Sequence, residues 1–160
     1  MRRELYKDTL PNTSFEVGNG TVSIASNALT LYENGNMTIS GTLTESSDLR
    51  LKKDIQPLEN VLERLLTIQP VYYYFKDHRI HPSGKQLGVI AQEVFEVFPE
   101  LVSKDNKGYY SVSYSKFSSV LIQAIKEQQQ IIDEQKNKIK IIEDKYIELE
   151  ERMKKLEDRN

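Results

Sequence analysis

Between about residues 16 and 45, apolar and polar side chains alternate. Val22, Ile24, Leu29, Leu31, Met37, Ile39 and Leu43 are spaced by Thr, Ser and Asn, which is the period of a strand with one apolar face. Gly18-Asn19-Gly20 and Asn34-Gly35-Asn36 read as turns between short strands. These strands carry too few large residues to bury a sheet face alone, so the pattern predicts that another chain supplies the missing surface. Residues 1–15 are polar and include the Leu10-Pro11-Asn12 turn signal; weak order is expected there.

After residue 47 the pattern changes. Residues 55–69 read as an amphipathic helix with Leu58, Val61, Leu62, Leu65 and Leu66 on one face, Pro57 in its first turn and Pro70 as its stop. Val71-Tyr72-Tyr73-Tyr74-Phe75-Lys76 predicts an aromatic-rich strand, and residues 78–85 a loop with Pro82-Ser83-Gly84 at its tip. Leu87 to Ala91 returns to the core, and residues 92–98 form a short helix ended by Pro99. Leu101-Val102-Ser103 and Tyr109 to Val112 predict a hairpin around Asp105-Asn106-Lys107-Gly108. Residues 48–115 thus read as a small α+β unit.

From Tyr114 to Leu156 there is no proline or glycine. Leu121, Ile125, Gln128, Ile132, Gln135, Ile139, Ile142, Tyr146, Leu149, Met153 and Leu156 fall at alternating spacings of four and three, a heptad seam. With Ile125, Ile132 and Ile139 at a, the d row holds Leu121, Gln128, Gln135, Ile142 and Leu149. Glutamines in a seam weaken it and set its register. The pattern predicts a self-associating helix on the order of 60 Å long. The Lys/Glu-rich stretch 143–159 is its solvated face.

Composition narrows the function. The 160 residues are 38% hydrophobic and 29% charged, with a net charge of −2, which offers no electrostatic case for nucleic acid or an anionic membrane. The chain has no cysteine, which removes disulfide, Cys-zinc and thiol chemistry. No apolar run approaches a membrane span, and the Met1-Arg2-Arg3 start lacks the apolar stretch of a signal peptide. Synthesis and folding in a cytoplasm are expected. His78 and His81 offer two ligands with no third in view, Tyr72 to Phe75 lack a basic stripe for stacking on bases, and no strong phosphate loop is present. No metal or cofactor is expected.

Candidate chemistry lies at the boundary, in Ser47-Asp48-Leu49-Arg50-Leu51-Lys52-Lys53-Asp54-Ile55. A serine with a lysine five residues on is either a nucleophile with its base or a turn capped by Ser47 or Asp48 beside a solvated lysine. A lysine acts as base only where burial or neighbouring positive charge favours its neutral amine, and Arg50 and Lys53 are the nearby cations.

This stretch, preceded by Gly41-Thr42-Leu43 and followed by Leu87-Gly88-Val89-Ile90-Ala91-Gln92-Glu93-Val94, Phe98-Pro99-Glu100-Leu101-Val102 and Leu121 to Gln128, resembles the C-terminal intramolecular chaperone family of phage tailspikes and tail fibres. The endosialidase tailspikes carry such a domain, and a related one occurs in a membrane-bound animal transcription factor. The resemblance implies a homotrimer whose C-terminal unit registers three stalk strands and then cuts itself off. Serine chemistry by itself allows attack on the preceding carbonyl and cleavage at Ser46–Ser47; the resemblance places the nucleophile at Ser47, the base at Lys52 and the scissile bond at Ser47–Asp48, and Arg50 and Lys53 stand in support by position. It also implies a stalk end at 1–47, a chaperone unit at 48–115 and a coiled coil at 116–160, whose partners are the chain's own copies and its own N-terminal fibre segment. Assembly in the host cytoplasm, a stalk retained in the virion tail fibre and a released chaperone follow from it. Family members usually follow a long fibre, whereas only residues 1–46 precede the site here. Two readings without chemistry stand beside it: a structural trimerisation module with an inert Ser–Lys pair, and a coiled-coil adaptor for a separate partner.

Overall fold

The computed structural model describes residues 13–18, 20 and 26–158, and the chain is α+β. The expectations for residues 1–12 and for Asn19, Val22 and Ile24 lie outside the described residues. Contacts group the chain into two units, one up to residue 55 together with 71–88, the other 56–70 together with 89 onward.

In the first unit, β1 (Thr13–Gly18), β2 (Asn27–Tyr32) and β3 (Met37–Ile39) form an antiparallel sheet in that order. Thr13 to Phe15 are already strand, inside the stretch where weak order was expected. The Asn34-Gly35-Asn36 turn forms as the pattern predicts, because Gly35 takes φ 80° and the Asn34 side chain accepts from Asn36 N at 3.0 Å. The register sorts the side chains by face. Phe15, Leu31 and Met37 make one apolar row, and Val17, Leu29 and Ile39 a second on the same side. Glu16, Thr30 and Thr38 make the row on the other side. Glu16 and Thr30 are buried, whereas Phe15 and Met37 are 56% and 57% exposed. In the single chain Phe15, Met37 and Ile39 on the apolar side are exposed, while Val17, Leu29 and Leu31 are half-buried.

The same unit holds most of the two-stranded sheet of β4 (Pro70–Tyr73) and β5 (Gln86–Val89). The aromatic strand is shorter than predicted, since pairing ends at Tyr73. Beyond it Phe75 meets Tyr73 edge-on at 5.2 Å and stacks on His81 at 4.3 Å, while Lys85 Nζ sits 4.0 Å over the Tyr72 ring.

The second unit is built on α3 (Tyr114–Glu157), 44 residues and about 66 Å long. Val120 and Ala124 of α3 close a core with Val61, Ile68, Val94, Phe98 and Leu101. These come from α1 (Leu62–Leu66) and its flanks, from α2 (Ala91–Val97), and from a 3₁₀ turn at Pro99–Leu101. The predicted hairpin is present as β6 (Val102–Lys104) and β7 (Tyr110–Val112), its turn closed by Gly108 at φ 88°.

The helix predicted over 55–69 shrinks to the five residues of α1. Pro57 biases Gln56 away from helical angles, and Asn60 adopts a left-handed φ of 53°, which ends helical propagation upstream. Pro57 is therefore not in a first turn, and Leu66 is 75% exposed instead of facing the core. The first N–H groups of α1 have no capping side chain of their own. Glu127 of α3 supplies it, accepting from Val61 N at 2.9 Å and Leu62 N at 2.7 Å and receiving Gln123 Nε2 at 3.1 Å. The Arg64 guanidinium, lying over the Phe98 ring at 4.3 Å, donates to the carbonyl of Val97.

Candidate active site

Residues 41–60 are exposed throughout, so the conformation around Ser47 is set by local bonds. Asp48, in an extended conformation, caps a 3₁₀ turn at Leu49–Leu51: its carboxylate accepts from Arg50 N at 2.9 Å. Leu51 N donates to Asp48 O and Lys52 N to Leu49 O, both at 3.1 Å. Three residues per turn fold the chain back on itself. As a result Lys52 Nζ donates to Ser47 Oγ at 2.8 Å. The two side chains that the spacing singled out are in direct contact within one chain.

Asp48 is engaged twice over. Besides its backbone cap, it receives Arg50 Nε on one oxygen at 3.0 Å and the terminal guanidinium nitrogen on the other at 2.7 Å, the bidentate fork of an arginine–carboxylate pair. The Arg50 side chain, and then its backbone N–H, hold the Asp48 carboxyl below its ordinary range and raise the Arg50 guanidinium in turn. Lys53 lies against Asp54 at 4.0 Å, both fully solvated. Neither Arg50 nor Lys53 is turned onto Lys52; each faces a carboxylate.

The seam residues of α3 lie outside the core of the second unit. Leu121, Ile125, Ile132, Ile139 and Ile142 are uncovered in the single chain, Ile125 and Ile142 by 63% and 65%, and Gln128 and Gln135 are exposed among them. α3 therefore buries one face, through Val120 and Ala124, and leaves the heptad face open.

Two features were not read from the sequence. One is the Glu127 cap, which joins residues more than sixty positions apart. The other is a second Asp-x-Arg clasp, Asp77 with Arg79, whose three hydrogen bonds of 3.0, 2.9 and 2.7 Å repeat those of Asp48 and Arg50. The repeated Asp-x-Arg-x spacing was the available signal for it.

Comparison with known proteins brings these positions into one frame. A family model described as chaperone of endosialidase matches residues 47–103, opening on Ser47. The long tail fiber protein Gp37 of Salmonella phage S16 is 36% identical over 110 residues, covering 64% of this chain and 15% of that protein. Its counterparts in Enterobacteria phages Ox2 and M1 are 35% and 34% identical over 114 residues, covering 67% of this chain and 45% of each relative. The chain thus spans less than half the length of these relatives. With its match beginning at the serine that Lys52 contacts, the segment from residue 47 to 103 is similar to the chaperone of endosialidase family.

Proposed function

We propose that this chain is a homotrimeric intramolecular chaperone module of a phage tail fibre, which registers the stalk strands and then releases itself by one cleavage at Ser47–Asp48. In this reading residues 1–47 are the stalk end, 48–115 the chaperone unit and 116–160 the coiled coil. Trimers assemble in the host cytoplasm, and the stalk stays with the virion tail. The observation that carries the reading is the 2.8 Å contact of Lys52 Nζ with Ser47 Oγ at the first residue of the family match. The unpaired apolar rows of β1–β3 and the open seam of α3 support self-association, since both leave large side chains in water that copies of the chain would cover.

The chemistry follows from geometry. At 2.8 Å a neutral Lys52 amine takes the Ser47 hydroxyl proton with little movement. Ser47 Oγ reaches its own carbonyl carbon only through a strained four-membered ring. The attacking oxygen is therefore that of a neighbouring copy's serine, followed by ester hydrolysis, or that of a water activated by the pair. Asp48 is poorly placed as the attacking group because Arg50 occupies both of its oxygens. As the C–N bond breaks, the proton taken by Lys52 passes to the Asp48 nitrogen, leaving a carboxylate on Ser47 and an amine on Asp48. Ser47 and Lys52 are both exposed in the single chain, and burial is what makes a lysine's neutral amine more accessible. Assembly that covers the segment would switch the base on, so cleavage follows trimerisation.

That exposure is also the observation favouring the second reading, a trimerisation module with an inert pair. Intact mass separates the two. Freshly expressed parent protein is expected as fragments 1–47 and 48–160, with Ser47→Ala and Lys52→Ala uncut. One uncut mass in all three would leave the structural module. Equal cutting in chains held monomeric by seam substitutions would remove the coupling to assembly.

A further inference from the structure

Five charged residues crowd positions 48–54: Asp48, Arg50, Lys52, Lys53 and Asp54. The structure sorts them into pairs. Asp48 is held by Arg50 through three hydrogen bonds, and Asp54 lies beside Lys53. Lys52 is the cation left over, and its hydrogen bond goes to the Ser47 hydroxyl. Among the described residues no side chain of another element makes an ion pair or hydrogen bond with Lys52. The other charged groups of its own segment are Glu45, Asp48, Arg50, Lys53 and Asp54. Asp48 is the carboxylate four positions before Lys52, across the same 3₁₀ turn, and the Arg50 fork is what occupies it.

We propose that Arg50 is a positioning residue for the Ser47–Lys52 pair, acting by sequestering the Asp48 carboxylate so that Lys52 faces a hydroxyl and not an anion. The inference rests on the self-cleaving reading and adds the element that keeps the base available. A lysine paired with a carboxylate holds its proton and gives up its contact with serine. A lysine left to a serine needs only burial to become a base. The Asp77–Arg79 clasp is an internal control. It forms with the same distances in a solvent-exposed loop, so the Asp-x-Arg spacing by itself is enough to take a carboxylate out of play. What sets Asp48–Arg50 apart is the lysine two residues beyond the arginine, where the second clasp has His81 stacked on Phe75.

The test compares the parent with Arg50→Gln and with Arg50→Gln combined with Asp48→Asn, all shown to have the parent's helicity and oligomer mass. In Arg50→Gln the freed carboxylate moves onto Lys52. Cleavage is expected to slow about tenfold at neutral pH and its pH–rate profile to shift to higher pH, with the alkaline plateau near the parent's. Removing the carboxylate as well returns the profile toward the parent's. Slowing by the same factor at every pH, no rescue in the double variant, or no slowing would each overturn the proposal. A second readout does not need cleavage. In an uncuttable Ser47→Ala chain, Arg50→Gln is expected to slow acylation of Lys52 by an amine-selective reagent several-fold relative to Lys53, read by peptide mass. An unchanged Lys52-to-Lys53 ratio overturns the role of Arg50. A parent that never cuts removes the self-cleaving reading, while this ratio still decides the charge sorting.

Discussion

A single carboxylate, Glu127, holds the start of α1 against α3, and its chemistry sets an acid limit on the second unit. Its hydrogen bond from Leu62 N, its bond from Gln123 and its bond from Val61 N hold the carboxyl below its ordinary value of 4.5. A carboxyl with a lowered folded-state value contributes stability that is complete above the ordinary value and is lost as pH falls through the lowered one. The thermal midpoint of the parent should therefore drop on acidification from about pH 5 to about pH 3 more steeply than that of Glu127→Gln. At neutral pH the variant should be the less stable of the two, since a neutral amide is a weaker cap for two backbone N–H groups. Parallel pH curves for the two proteins would show that the cap carries no such linkage. Parent and variant are compared because other carboxylates, such as those of the two exposed Asp-x-Arg clasps, titrate in both.

At the scale of elements, α3 carries both the best and the most consequential expectation. Its length was legible because a run from Tyr114 to Leu156 without a helix breaker leaves no other reading, and the helix ends at Glu157. The hairpin of β6 and β7 and the short α2 were legible for the same local reason, turn residues and proline in place. The helix over 55–69 was misjudged because the apolar spacing of Leu58, Val61, Leu62, Leu65 and Leu66 survives in a chain whose backbone leaves the helix at Asn60. Periodicity reports which side chains are apolar and not which φ angles they take. The site divides along the same line. A serine and lysine five apart could be read, while the fork that occupies Asp48 had to be seen. The α3 seam makes its own prediction. Each isoleucine buried there contributes about 1.5–3 kcal/mol, so Ile132→Asp should reduce the sedimentation mass to that of one chain. Gln128→Ile with Gln135→Ile should raise the thermal midpoint and broaden the oligomer distribution, because polar seam positions fix register at a cost in stability. A seam of no importance would leave both masses unchanged.

For the whole molecule, the open question is where the apolar surface goes. The described core of the second unit is seven residues, while the sheet of the first unit turns Phe15, Met37 and Ile39 outward and buries Glu16 and Thr30. The scarcity of large residues in these alternating strands was legible in the sequence, and the exposure of Phe15, Met37 and Ile39 in the single chain agrees with it. Which side chains share a face followed from the alternation, whereas which of the two faces is covered came only from the structure. That inverted sheet has a consequence for how the protein responds to dilution. If its apolar rows are satisfied only between copies, folding is a reaction of higher than first order in chain, and mass action ties stability to the amount of protein present. The melting temperature should climb as the solution is concentrated and sink as it is diluted, and a melting temperature independent of concentration would place the burial within one chain. For a chain that acts as one of three in a fibre, as proposed above, such a law would amount to a quorum: a lone chain would stay unsettled until two others arrive.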